Sequence, residues 1–190
     1  MRKLVYYIGA SIDGRIAGPA DETDFYPLSD EMIAWIAATY PETLPTHLRG
    51  HFGVEDAPNE SFDTVLMGRG TYRPGLDAGI TSPYAHLRQY VISSTLKIDD
   101  PAVHVEAGDP LALVRALKAE EGGRDIWLCG GGRLAGALLP EIDEIVLKRY
   151  PVVAGTGVPL FGGPFNPTQF VPTEHVTMKN GTQVTWFRRA

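Results

Sequence analysis

The sequence predicts an α/β protein, with a mostly parallel central sheet flanked by helices and an antiparallel hairpin at the C-terminus. Short apolar runs alternate with segments of helical spacing, which is the alternation that builds parallel sheets. The triplet Gly130-Gly131-Gly132 directly follows one of these apolar runs. The pair Asn180-Gly181 separates the last two apolar segments and is typical of a hairpin turn.

Length and composition narrow the class of protein. The 190 residues suffice for one well-buried core, and no repeat or linker interrupts them, so we expect a single domain over 1–190. The net charge of -6 argues against a nucleic-acid-binding protein. The one cysteine, Cys129, allows no intrachain disulfide and fits a reducing cytoplasm. We expect no signal peptide, because Asp13 and Arg15 follow the first apolar run closely, and no membrane span.

The first third of the chain begins with a predicted strand and helix. Residues 4–10 are almost wholly apolar, which predicts a buried central strand. Ser29 offers an N-cap, with Asp30 and Glu31 in the first turn of the helix that follows. Residues 41–60 lose all periodicity and indicate either an irregular insertion or a lid over a site.

The rest of the chain alternates between the two kinds of element. The pattern predicts strands at 63–67, 89–92, 103–105, 125–129, 144–150, 169–178 and 183–188, and helices at 110–121 and 134–139. Asp109-Pro110 opens the first of these helices, with proline at its first position. Residues 71–76 are compatible with a brief helix or with a turn at Pro74-Gly75.

Four of the predicted strands end in glycines or small polar residues. These ends are Gly9-Ala10-Ser11, Gly68-Arg69-Gly70-Thr71, Ser93-Ser94 and Gly130-Gly131-Gly132. Ligands of open α/β sheets bind outside the carboxyl ends of the strands, where glycine lets a phosphate approach the backbone. Arg69 and Thr71 also suit phosphate oxygens. Each end alone fits an ordinary turn, and the four together favour a nucleotide or phosphorylated cofactor.

Several segments occur in the order found in a known family. They are Ser11–Ala17, Met67–Tyr72, Val91–Ser94, Cys129–Leu134, Ile142–Ile145 and Pro151–Phe161. They resemble the dihydrofolate reductase-like superfamily and, more closely, the reductase domain of the riboflavin-biosynthesis deaminase–reductase. The resemblance covers most of the chain and implies a dihydrofolate reductase-like fold. The zinc-binding signature of the deaminase half is missing, so the resemblance extends to the reductase step alone.

The resemblance implies an NADPH-dependent reductase that transfers hydride to a small heterocyclic or sugar-derived substrate, as 5-amino-6-(5-phosphoribosylamino)uracil reductase does. Carried over by position, the cofactor residues are Gly68, Arg69 and Thr71 at the phosphates, Ser93 and Ser94 at the adenosine half, Gly130, Gly131, Gly132 and Leu134 at the pyrophosphate, and Gly9, Ile16 and Ala17 at the nicotinamide. Arg69 is assigned to the adenosine 2′-phosphate. The resemblance also implies a homodimer.

The proton donor and the reaction itself are less constrained. Dihydrofolate reductase holds its pteridine ring with a carboxylate of the first helix, and Asp30 and Glu31 are the nearest equivalents here, so they are the candidate catalytic residues. First-turn acids also serve as helix-dipole partners. Asp13 fits a turn-capping role at least as well as a catalytic one.

A non-catalytic nucleotide sensor, a pterin reductase and a flavodoxin-like FMN protein are alternative functions. The histidines have no metal-ligand spacing, and no metal is predicted.

Overall fold

The structure is a computed structural model that describes residues 1–190. Its strands are β1 (Leu4–Ala10), β2 (Arg15–Ala17), β3 (Phe62–Gly68), β4 (Arg88–Ile92), β5 (Val103–Glu106), β6 (Asp125–Gly130), β7 (Ile142–Arg149), β8 (Val158–Pro159), β9 (Phe170–Thr177) and β10 (Gln183–Arg189). Its helices are α1 (Asp30–Thr39), α2 (Thr46–Arg49), α3 (Arg69–Asp77), α4 (Pro110–Ala119) and α5 (Gly132–Leu138), with 3₁₀ turns at Pro41–Thr43 and Leu139–Glu141. None of these helices combines the length and hydrophobicity needed to cross a bilayer.

Eight strands form one central sheet in the order β5-β4-β3-β6-β1-β7-β10-β9. The six strands from β5 to β7 pair in parallel, whereas β10 pairs antiparallel with both β7 and β9. The Asn180-Gly181 turn joins β9 to β10. The predicted class, a mostly parallel sheet with a C-terminal antiparallel hairpin, is therefore confirmed.

The sheet separates two hydrophobic layers. On one face, Met32 of α1 packs over Tyr7 and Trp127, and the Trp127 indole donates to the Tyr7 carbonyl at 3.1 Å. On the other face, Val114 of α4 and Leu138 of α5 cover the opposite side chains of the same strands. Both layers come from period-2 alternation within each strand, which sends successive side chains to opposite faces.

Charged side chains close the amino ends of the parallel strands. The buried Arg2 guanidinium pairs with Asp63 and, at 2.5 Å, with Glu120, and it donates to the Arg124 carbonyl at 2.6 Å. Arg88 joins the same network through Glu120 at 2.5 Å. Arg2 and Arg88 are thus paired with Asp63 and Glu120 at this end of the sheet.

Residues 41–60 belong to that closed end and do not form a lid. The buried Glu42 carboxylate accepts hydrogen bonds from the backbone N–H groups of Ser61 and Phe62, at 2.6 and 2.8 Å, where β3 begins. Arg49 is buried and donates to the Pro41 carbonyl at 2.8 Å. Of the two alternatives, an insertion or a lid, the structure supports the insertion, because Glu42 bonds to the backbone at the start of β3 and no residue of 41–60 borders the cleft described below.

Two further elements differ from expectation. The ambiguous segment after β3 is helical, since α3 continues through Pro74 to Asp77. Strands β2 and β8 were not predicted, and they form a separate two-stranded sheet. Both are three residues or fewer, which is too short for a periodic signal.

Candidate functional site

A large cleft opens at the carboxyl ends of five parallel strands. Ile92 of β4, Gly68 of β3, Cys129 of β6, Gly9 of β1 and Lys148 of β7 all border it. Neighbouring strands lie about 4.8 Å apart, so five strand ends span roughly 19 Å. The cleft encloses about 1310 Å³, more than the roughly 300–1,000 Å³ usual for one small ligand. It has room for an extended cofactor together with a second, smaller molecule.

Most of the residues predicted to hold the cofactor border this cleft. They are Gly9, Ile16, Ala17, Gly68, Arg69, Thr71, Gly131, Gly132 and Leu134. The other three, Ser93, Ser94 and Gly130, do not border it. Gly130 is buried, Ser94 is exposed, and the Ser93 hydroxyl accepts from the N–H groups of Thr95 and Leu96 at 3.3 and 3.1 Å. Ser93 thus stabilises its own turn, which the sequence pattern did not distinguish from a ligand contact.

Two helices begin at the cleft without a side-chain cap. Gly68 and Gly131 are the N-cap residues of α3 and α5, and neither has a side chain that accepts from the first turn. By contrast, Ser29 caps α1 and Asp109 caps α4, at 3.2 and 3.0 Å, while the short helix α2 also lacks a side-chain cap. Free N–H groups at a helix start suit a phosphate, so the two glycine turns that border the cleft are candidate anion-binding positions.

The two glycines that follow β6, Gly131 and Gly132, have different surroundings. A Cβ on Gly131 would project between Thr71 Oγ1 and Ile16 Cδ1, at 3.5 and 3.9 Å, which is ordinary contact within the cleft. A Cβ on Gly132 would lie 2.0 Å from the Pro159 carbonyl oxygen. Gly132 therefore permits the loop around Pro159 to pack on α5, whereas Gly131 leaves space that a ligand can fill.

Asp13 organises the wall of the cleft but does not face it. Its carboxylate accepts from the Ser11 hydroxyl at 2.6 Å and from the backbone N–H groups of Ala154 and Gly155 at 2.9 and 2.8 Å. These hydrogen bonds, that of Ser11 foremost, lower the pKa of Asp13 to about 2. Asp13 ties the turn after β1 to the loop before β8, so its turn role is the one that the structure supports.

The structure places Asp30 and Glu31 outside the cleft. Both are exposed in the first turn of α1, because that helix directs Met32 towards the core. The Glu31 carboxylate accepts from the backbone N–H of Lys179 at 2.8 Å, which fastens α1 to the C-terminal hairpin. Neither acid borders the cleft, so the structure gives no support to the prediction that they are catalytic residues.

The β7 end of the cleft holds a lysine that sequence reasoning missed. The Lys148 amine lies 3.5 Å from the centroid of the Tyr7 ring, and no carboxylate is within ion-pair distance of it. Burial lowers the pKa of Lys148 to about 7. Cys129 and Tyr150 border the same end, and burial raises the pKa of each to about 12. A lysine near the end of a strand usually points to solvent; the period-2 spacing with Val146 and Tyr150, both buried, was the signal available.

Tyr26 connects this end of the cleft to the turn after β1. Its hydroxyl lies 3.2 Å from the Gly9 carbonyl oxygen and 2.9 Å from the Arg15 carbonyl oxygen, and its ring packs on that of Tyr150 at 4.6 Å. The loop that carries Tyr26 is thereby held over β1.

The cleft is basic although the protein is acidic. Its charged lining comprises three cations, Arg69, Arg133 and Lys148, and one acid, Asp21, against a net charge of -6 for the chain. Asp21 lies at the α3 end, since a Cβ on Gly70 would be 3.8 Å from its carboxylate. Clefts lined by one sign of charge attract ligands of the other, so this cleft favours an anion.

Comparison with known proteins identifies relatives along nearly the whole chain. The family model described as the RibD C-terminal domain matches residues 2–184. Two relatives from Bacillus subtilis strain 168 are uncharacterized proteins. YwjB is 31% identical over 172 residues, which cover 88% of this chain and 87% of YwjB. YyaP is 28% identical over 174 residues, which cover 84% of this chain and 80% of YyaP.

Solved structures share the fold. A putative riboflavin biosynthesis protein from Shewanella sp. PV-4 has a TM-score of 0.74 at 24% identity, with 100% of this chain and 99% of that chain covered. The Thermotoga maritima diaminohydroxyphosphoribosylaminopyrimidine deaminase/5-amino-6-(5-phosphoribosylamino)uracil reductase has a TM-score of 0.68 at 14% identity. That alignment covers 100% of this chain and 57% of the Thermotoga chain.

Proposed function

Because this chain belongs to the family of RibD C-terminal domains, we propose that it is an oxidoreductase that uses NADPH to reduce a small organic substrate. The observation that carries the proposal is the cleft itself. Two glycine N-caps, at Gly68 and Gly131, open on it beside Arg69, and the opposite end holds an unpaired lysine. One end thus suits phosphates, and the other suits a reacting group.

The residues at the α3 end fit the phosphates of a dinucleotide. The glycine turns offer N–H groups with no Cβ in front of them, and the Thr71 hydroxyl lies beside Gly131. Arg69 is exposed at the mouth, where its guanidinium donates to the Thr95 hydroxyl at 2.9 Å. An exposed guanidinium at that position suits the 2′-phosphate that distinguishes NADPH from NADH.

The middle of the cleft fits a nicotinamide ring. Ile16 and Ala17 of β2 supply an apolar wall, and Gly9 of β1 borders the cleft beside the Tyr150 ring. When bound, the reduced nicotinamide supplies a hydride; the chain supplies orientation and a dry, preorganised surface. The Tyr26 hydroxyl, within 3.2 Å of the Gly9 carbonyl oxygen, keeps this wall in place.

The charges disfavour a pterin as the substrate. A pteridine ring held as in dihydrofolate reductase requires a carboxylate beside it. Asp21 is the one acid that borders the cleft, and it lies beside Gly70, at the phosphate end. The β7 end presents the Lys148 amine instead.

The test is a titration of the purified protein with NADPH and with NADH, followed by the fluorescence of the nicotinamide. We expect one NADPH per chain and weaker binding of NADH. Oxidation of bound NADPH at 340 nm, with a panel of small carbonyl compounds, then separates an enzyme from a sensor. Absence of saturable NADPH binding would refute the proposal, and binding without turnover over the panel would favour the sensor.

We also propose that the protein is a homodimer. The edge strand β9 leaves its outer backbone unpaired, and Val171 on it is 43% exposed. Phe165, in the segment before it, is 96% exposed. Edges of this kind are commonly covered in assemblies. Light scattering tests the proposal: a mass of twice the 20.7 kDa chain is expected, and the mass of one chain would contradict it.

A further inference from the structure

We propose that Lys148 is a catalytic residue that binds the substrate's carbonyl oxygen and protonates it, which makes the substrate an aldehyde or ketone. This inference rests on the proposed reductase function and extends it to the substrate end of the cleft. Four observations carry it: where the amine lies, what surrounds it, how it differs from the other lysines, and what the cleft leaves open beside it.

The sheet register places the amine over β1. Lys148 of β7 pairs with Gly9 of β1, which has no side chain. The space at Gly9 is filled by the Tyr150 ring, since a Cβ on Gly9 would lie 3.0 Å from it. The Lys148 amine lies 3.5 Å from the centroid of the Tyr7 ring, two residues before Gly9 on β1. Gly9 and Lys148 both border the cleft. Lys148 therefore borders the part of the cleft where the nicotinamide is proposed to lie and where a substrate has to sit to receive a hydride.

No neighbouring group neutralises the amine. The titratable side chains on the elements around it are Tyr7 of β1, Tyr26 of the loop before α1, Tyr84 of the segment before β4, Cys129 of β6 and Tyr150 of β7. Burial raises the pKa of every one of them, so all are uncharged near neutral pH. The Tyr7 ring face gives the ammonium form its one attractive contact.

The other four lysines are either paired or solvated. Lys3 pairs with Glu144 at 2.6 Å, and Lys118 pairs with Asp143 at 2.8 Å. Lys97 and Lys179 are exposed. Lys148 is half-buried and has no counter-ion, which destabilises the fold, and strongly shifted titratable groups concentrate at active sites.

The chemistry requires what this amine can supply. When a carbonyl carbon accepts a hydride from a reduced nicotinamide, the π electron pair moves to oxygen. The Lys148 ammonium donates a hydrogen bond to that oxygen; its N–H bond then breaks as the O–H bond of the alcohol forms. The neutral amine afterwards takes a proton from water. A pKa lowered to about 7 leaves both forms populated at neutral pH, which is the condition for a general acid that is recharged every cycle.

Reductive trapping tests the site without NADPH. Benzaldehyde and cyanoborohydride are added at pH 7.5, and peptide mass spectrometry locates the alkylated lysines. We expect Lys148 to react at least ten times faster than the exposed Lys97 and Lys179, because its lowered pKa leaves much of its amine in the neutral, nucleophilic form at that pH. Labelling of the two exposed lysines ahead of Lys148 would overturn the proposal, whether or not NADPH binds.

Turnover tests the catalytic step. We expect Lys148→Met to lose at least 100-fold in the rate of benzaldehyde reduction by NADPH, while the NADPH dissociation constant changes less than twofold. In the wild type the rate should fall above neutral pH as Lys148 loses its proton. In Lys148→Arg this fall should begin at a higher pH, because arginine stays charged. Lys179→Met, in an exposed turn, is the control for loss of a lysine.

The outcomes separate the two proposals. Wild-type turnover retained in a folded Lys148→Met protein, or absent from a wild type that is trapped at Lys148, would overturn the protonation step. Trapping at Lys148 without NADPH binding would refute the proposed reductase function and leave a carbonyl site.

Discussion

The two ends of the sheet differ in whether their charged side chains have partners. At the amino ends of the strands, the buried Arg2 guanidinium contacts two carboxylates and a backbone carbonyl, and Glu42 caps the start of β3. At the carboxyl ends, Arg69, Arg133 and Lys148 border the cleft without a carboxylate partner. Two helices also begin there without a side-chain cap.

We infer from this difference that the paired charges serve the fold and that the unpaired cations at the cleft are available to a ligand. A paired charge satisfies its neighbours and stabilises the native state, whereas an unpaired cation or a free helix start keeps its interaction energy for something else. Substitutions at the two ends should therefore affect different measurements. Changes at the amino end are expected to lower stability, and changes at the carboxyl end are expected to lower affinity.

The largest effect is expected at Arg2. Arg2→Met leaves Asp63 and Glu120 without their buried partner, which costs on the order of 3 kcal/mol. Urea denaturation measures the loss, and the affinity for NADPH should not change. Arg73→Met is the matched control, because Arg73 forms an exposed pair with Asp77 at 3.5 Å that is worth less than about 1 kcal/mol. Equal losses of unfolding free energy in the two variants would show that the buried Arg2 network stabilises the fold no more than an exposed ion pair does.

Adjacent glycines offer a sharper comparison at the carboxyl end. Gly131→Ala places a methyl group in the cleft at ordinary contact distances, so the fold should tolerate it while the affinity for NADPH falls at least tenfold. Gly132→Ala puts a methyl group against the Pro159 carbonyl and should lower the unfolding free energy by about 1–3 kcal/mol. Calorimetry and NADPH titration of both variants check this. Unchanged affinity in Gly131→Ala would show that the glycine turn is not a binding surface.

The next effect is a loss of affinity in Arg69→Ala that is larger for NADPH than for NADH. Arg69→Ala removes a charged donor from the mouth of the cleft and should weaken NADPH by roughly 10- to 100-fold, the range of a charge-assisted hydrogen bond. NADH has no 2′-phosphate, so its affinity should fall less than threefold. Fluorescence titration with both nucleotides measures the ratio, and an equal loss for the two would refute the role given to Arg69.

Replacing Lys148 should give a gain in stability that depends on pH. The pKa of Lys148 is lowered to about 7 in the folded protein, against about 10.4 for an ordinary lysine. Between those values the unfolded chain binds more protons, so wild-type stability rises with pH across this window. The stability of Lys148→Met should not show this rise with pH, because methionine does not titrate. The melting temperature of this variant should exceed that of the wild type by roughly 10 °C at pH 6.5, with the gap narrowing towards pH 9.5. A difference in melting temperature that stays constant between pH 6.5 and pH 9.5 would show that the pKa of Lys148 is not lowered.

Much of the fold was predictable from the sequence because its signals are local. The apolar run of β1, the Ser29 cap and the Asn180-Gly181 turn each depend on a few neighbouring residues, and each lies where it was expected. The glycine-rich strand ends also came together, since parallel strands present their carboxyl ends at one edge of the sheet. Their role in cofactor binding remains a prediction.

The residues that were misjudged depend on contacts between distant segments. Glu31 bonds to the backbone of Lys179, 148 positions away, so its role follows from how the hairpin packs and not from its place in α1. Lys148 acquires its surroundings from Gly9 and Tyr7 on another strand. Such long-range pairings carry no local signal.

Hydrogen–deuterium exchange with and without NADPH tests most directly whether the unpaired end of the sheet is the binding surface. NADPH should slow exchange in residues 68–72 and 131–134, where the two uncapped helices begin. Residues 2–4 and 61–64, at the paired end, should exchange at unchanged rates. Unchanged exchange at both glycine turns under saturating NADPH, or protection confined to the paired end, would contradict the account.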